Sequence, residues 1–143
     1  MILKDFKIAK DNIALEQSGV YMDLHNCYDF SGLEYDVVKR EVKLTWSRAS
    51  GEWVSASLPE HLCLALAGVY LFRAKERNPA IPFTEDDCLS SIGFLWNQQV
   101  EEMGGYHSFE PKEDCTHMSL EFMSHFALKI GAESASLLTW NRA

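Results

Sequence analysis

Four side chains are spaced in a way that suits metal chemistry. His25-Asn-Cys27 and Cys115-Thr-His117 each place an imidazole and a thiol two positions apart. On a β-strand, residues i and i+2 point the same way, so each pair would present both groups to one side. Two such pairs facing each other would make a tetrahedral Cys2His2 zinc site. The spacing itself argues against that, because structural zinc sites mostly leave roughly two to four residues between paired ligands. The reading adopted is two buried thiols and two ordinary histidines, with no metal and no cofactor.

Nucleophilic chemistry is equally unsupported by pattern. A cysteine nucleophile requires a base within reach, and four cysteines with five histidines offer many pairings without selecting one. Glu85-Asp86-Asp87 lacks the alternating ligands and glycine of a calcium loop. Those acids read instead as the first turn of a helix. Glu101-Glu102 and Glu113-Asp114 read as solvated acids. No glycine-rich phosphate loop, G-x-S-x-G elbow or H-E-x-x-H pair occurs. Trp46, Trp53, Trp96 and Trp140 read as core, with the lining of a ligand cavity as the alternative. No catalytic residue is assigned, and the chain is expected not to be an enzyme.

Composition narrows the class further. The chain has 143 residues, 47% of them apolar and 24% charged, the make-up of one folded domain spanning 1–143. Acidic residues outnumber basic ones, 21 to 13, giving a net charge of −8. That balance disfavours nucleic acid, which is held by Lys and Arg, and leaves a basic protein partner open. The longest mostly apolar run, Leu62 to Phe72, falls short of the about 18 residues a bilayer span needs. Charges in Met1-Ile-Leu-Lys-Asp-Phe-Lys7 interrupt what a secretory leader would keep apolar. A cytoplasmic protein with free thiols is expected.

Side-chain alternation predicts mostly antiparallel β structure. Leu3–Ala9 is a candidate first strand, and Asp11-Asn12 and Gln17-Ser18-Gly19 read as turns. Val20, Met22 and Leu24 alternate with Tyr21, Asp23 and His25. Asp29-Phe-Ser-Gly32 reads as a turn. Leu33–Val38 and Glu41–Ser47 form the clearest hairpin, joined at Lys39-Arg40, with Val42, Leu44 and Trp46 on one face. Trp53–Leu58 is a further candidate strand. His61–Phe72 is open to strand or helix; strand is preferred, with Gly68 as a bulge or bend. Thr84, the following acids and the stripe Leu89, Ile92, Trp96, Val100, Met103 predict one helix near 84–103, against a rival short helix and strand. Thr116–Met123, Phe126–Ile130 and Ala132–Trp140 complete the set. The fold class is α+β, mainly β: an antiparallel sheet curled or packed as a sandwich or partial barrel.

Leu24-His-Asn-Cys27, Leu33-Glu-Tyr-Asp36 and Val42-Lys-Leu-Thr-Trp46, followed by Leu64-Ala-Leu-Ala-Gly-Val69, resemble a pattern in small uncharacterised bacterial β-rich proteins. Some of these are grouped with immunity proteins of polymorphic toxin systems. The resemblance lies in the first half of the chain. It implies a β-rich fold without enzymatic activity and supplies no catalytic residues. Together with the acidity it leads to a non-enzymatic binding protein, in its most concrete form an inhibitor of a basic toxin. The alternatives are a small β-barrel holding an apolar ligand among its aromatics and an oligomer subunit without chemistry of its own.

Overall fold

In the computed structural model, which describes residues 1–96, 103 and 107–142 and only the backbone of Thr116, twelve strands arrange in three sheets. They are β1 (Ile2–Lys4), β2 (Lys7–Ile8), β3 (Ala14–Gln17), β4 (Val20–Asp23), β5 (Tyr28–Asp36), β6 (Glu41–Arg48), β7 (His61–Ala67), β8 (Leu71–Lys75), β9 (Leu89–Trp96), β10 (Cys115–Phe122), β11 (Ala127–Gly131) and β12 (Ser134–Trp140). The largest sheet runs β1-β12-β7-β6-β5, the second β8-β11-β10-β9, and the smallest β2-β3-β4. All neighbours are antiparallel except β1 and β12, which pair parallel with Ile2 opposite Ser134.

The two larger sheets share one core. Val42, Leu44 and Trp46 of β6 and Leu62, Leu64 and Leu66 of β7 turn the same way and are buried with Met118, Leu120 and Phe122 of β10 and Leu128 and Ile130 of β11. Phe30 bridges the sheets, with its ring 5.2 Å from Trp46 and 4.7 Å from Phe122. Each fully buried Leu or Ile contributes about 1.5–3 kcal/mol by leaving water, so the alternation that forms the strands also holds the layers together. The sheets are not closed into a barrel, which corrects the barrel alternative.

The hairpin and the 61–72 strand are borne out, with adjusted limits. β5 starts four residues before the expected turn ends and absorbs it: Ser31 is an extra residue between Phe30↔Trp46 and Gly32↔Thr45, a β-bulge. Lys39 N–H donates to Asp36 Oδ1, closing the loop before β6. Gly68 is the expected bend. Its φ of +67° suits a residue without Cβ and sends the chain from β7 in one sheet to β8 in the other.

Besides the Asp29–Gly32 turn, three expectations fail. Leu3–Ala9 breaks into β1 and β2 at Asp5, whose φ is +61°. Trp53–Leu58 is not a strand; it is a loop held by Trp53 Nε1 donating to Asn26 O and by Arg48 donating to Ala56 O and Leu58 O. The helix near 84–103 is absent from the described residues. A single 3-10 turn, Phe83–Glu85, stands there without a side-chain cap, and Leu89–Trp96 is strand β9. The carbonyls of Asp87 and Cys88 are taken by the N–H groups of Phe30 and Met123, so they are not available to a helical ladder. Ser90, Ser91 and Gly93 are also poor helix formers. The remainder of that expected helix, apart from Met103, lies outside the described residues.

Candidate functional site

The zinc quartet does not assemble. His25 sits in the turn after β4, its Nδ1 2.6 Å from Leu89 O at the start of β9. Cys115 pairs with Trp96 at the far end of β9. Seven residues of strand separate those points, about 23 Å at the usual rise. Cys27 lies before β5, and burial followed by the Asp23 charge pushes its thiol up. His117 stands on the face of β10 turned away from the shared core. Its ring packs near Tyr70, and burial, then the Lys129 and Arg73 charges, hold its pKa below the usual histidine range. Among the described residues no three His, Cys, Asp or Glu side chains are grouped to hold a metal ion.

Cys88 is the group His25 actually meets, and no sequence spacing signalled the pair. Its Sγ is 3.5 Å from His25 Nδ1. A carbonyl oxygen can only accept, so the short contact to Leu89 O assigns the proton to Nδ1. That nitrogen therefore cannot take the thiol proton. Burial, then the charges of Glu85, Asp87, Asp29 and Asp23, raise the Cys88 thiol. Nucleophilic cysteines need the opposite, a cationic setting that lowers the pKa.

The same corner carries an acid-rimmed pocket of about 360 Å³, lined by Phe30, Ser31, Gly32, Arg77, Asp86, Asp87 and Phe126. Four stretches converge to form it: the bulge in β5, the 3-10 segment leading into β9, Arg77 in the loop after β8, and the residue before β11. The main-chain bond from Phe30 N to Asp87 O, at 2.8 Å, fixes the first two together. Arg77 is committed to the frame. Its Nε donates to Asp86 Oδ1 at 2.8 Å, its other nitrogens reach Asn78 O and Ile81 O, and its plane lies over Phe83. The Arg77 bond holds the Asp86 carboxyl below the usual range. Asp87 and Asp29 receive no such bond among the described residues. Burial, then the neighbouring Asp87 charge, pushes the Asp29 carboxyl up. Glu85-Asp86-Asp87 is thus divided between an internal ion pair and an outward-facing acid. Asp29 and Phe30 were hidden inside a presumed turn.

The other acids and aromatics do not converge. Glu101 and Glu102 lie outside the described residues, and Glu113 and Asp114 precede β10 as exposed acids. Trp46 is core, Trp53 is exposed on its loop, Trp96 lies near His107 and Lys112, and Trp140 stacks on His61. None of the four lines the pocket beside β5. No described helix is long and apolar enough to cross a membrane. Comparison with protein-family models, with curated proteins and with solved structures found no match.

Proposed function

We propose that this chain is a non-enzymatic binding protein that receives a cationic side chain of a protein partner in the pocket beside β5. One observation carries the reading: Asp87, exposed and with a carboxylate that accepts no hydrogen bond among the described residues, lines a pocket together with Phe30 and Phe126, and its charge acts on the nearby Asp29 carboxyl. An ammonium or guanidinium group there would relieve the like-charge repulsion and gain the ring faces. The net charge of −8 favours encounter with a basic partner. An inhibitor laid over a basic toxin is the concrete form of this reading. The Cys88–His25 pair does not favour catalysis, because its proton placement and acidic surroundings keep the thiol protonated.

The test is an NMR titration with Nα-acetyl-lysine methylamide. Shifts are expected at Asp29, Phe30 and Asp87, weakening as salt screens them and vanishing in the Asp29→Asn/Asp87→Asn double variant. Binding that the double variant leaves unchanged would overturn the reading.

A further inference from the structure

We infer that the partner engages by strand addition: an extended segment of alternating basic and apolar residues pairs with the outer edge of β5, its leading cation entering the Asp87 pocket. This rests on the pocket reading above and specifies its partner.

The edges of the three sheets are unequal. β1, at the other end of the large sheet, has three residues, and the two edges of the smallest sheet, β2 and β4, have two and four. β8 carries Arg73 and Lys75, the basic residues that commonly guard an edge. β9 is covered, because Ile92 N–H donates to Asn12 O, Phe94 N–H to Ser108 O and His107 N–H to Phe94 O. β5 has nine residues, without proline or lysine, and is the last strand of its sheet. Past Phe30 it makes no main-chain bond on that side among the described residues.

Its outward groups can be assigned. Arg48 N–H points to Glu60 O, so alternate residues of β6 face β7, and Thr45, Lys43 and Glu41 face β5. Gly32, Glu34 and Asp36, their partners, spend their main-chain bonds on β6. Phe30 turns outward to Asp87, and the bulge shifts the phase by one. The outward N–H and C=O groups beyond it therefore belong to Leu33 and Tyr35. Their side chains lie on the apolar face, and Glu34 and Asp36 on the solvent face.

Charge selects the occupant. Every charged residue of β5, namely Asp29, Glu34 and Asp36, is acidic. A second copy paired edge to edge would set these acids against each other, whereas a basic strand complements them. Apolar residues of the incoming strand would lie beside Leu33 and Tyr35, and its cations beside Glu34 and Asp36.

The probe is an acetylated, amidated hexapeptide of alternating lysine and valine, compared with two forms methylated on the main-chain nitrogens of either all lysines or all valines. Only one phase faces β5, so methylation of that phase should weaken binding about tenfold or more, at roughly fivefold for each lost main-chain bond. The other phase should leave it unchanged. The amides of Leu33 and Tyr35 should exchange with deuterium more slowly in the complex. Equal effects of the two phases, large or small, overturn strand addition. If the hexapeptide fails to bind while the lysine amide still reaches Asp87, strand addition falls and the pocket reading stands; failure of both probes removes the pocket reading. A peptide-free dimer that the hexapeptide dissociates would assign the edge to a second copy and overturn the proposal.

Discussion

Cys88 separates a binding protein from a thiol enzyme, and its titration is accessible. An unshifted thiol with a pKa of 9.0 is about 1% thiolate at pH 7. Burial and the carboxylates of Glu85, Asp87, Asp29 and Asp23 raise it, so Cys88 falls below that fraction. A catalytic cysteine paired with imidazolium, with a pKa near ~4, is almost fully ionised at neutral pH. The rates at a single pH differ less than those fractions, because nucleophilicity falls with pKa at a Brønsted slope of roughly 0.5. The slope against pH carries the discrimination. Alkylation of Cys88 by iodoacetamide, followed by mass spectrometry, should rise about tenfold per pH unit from pH 6 to pH 8. His25→Ala should change the rate less than about twofold, because Nδ1 is committed to Leu89 O. Asp87→Asn should move the profile to lower pH. A profile flat between pH 6 and 8, collapsing in His25→Ala, would refute the proton assignment and the non-catalytic reading together.

Three further outcomes follow from the packing and the titrating groups. Leu64→Ala removes a fully buried side chain between Leu44 and Leu137 and should cost about 2–5 kcal/mol in urea unfolding. Gly68→Ala and Gly19→Ala both place a Cβ at positive φ, +67° and +79°, and should each cost about 1–2 kcal/mol; the Glu133 arm that the new methyl meets at position 68 is a flexible, exposed side chain and should add less than about 1 kcal/mol. His117, with its pKa held below 6.5 by burial, Lys129 and Arg73, favours the fold when neutral. Its contribution is present above pH 6.5 and is lost as pH falls through the lowered value, so urea midpoints measured at pH 7.5 and pH 5 should differ less in His117→Asn than in the parent.

Period-two alternation was the readable signal, and it was readable wherever one face of a strand is core and the other wet. Val42, Leu44 and Trp46 announce β6, and Met118, Leu120 and Phe122 announce β10. It failed where tertiary bonds decide. Asp29-Phe-Ser-Gly32 has the composition of a turn, but the bulge at Ser31 accommodates it within a strand because Phe30 has Trp46 and Phe122 to pack against. Leu89, Ile92 and Trp96 carry a helical spacing, and the carbonyls that would begin that helix are claimed from distant segments. The pocket was illegible for the same reason. Phe30, Arg77, Asp87 and Phe126 come from four separate stretches, and the bonds that bring them together, Phe30 to Asp87 and Arg77 to Asp86 among them, join residues far apart in the chain.

The parallel pairing of β1 with β12 has a consequence for how this molecule is made. β12 is inserted between β1 and β7, so β1 finds its neighbour only after the chain has run from Lys4 to Ser134. Until then the border of β7 that receives β12 is uncovered at Cys63, Ala65 and Ala67. Loop closure over such a distance is slow. The nascent chain therefore spends its synthesis with a sticky flank exposed, and a chaperone that shields β7 until Ser134–Trp140 arrives would act at its most vulnerable interval.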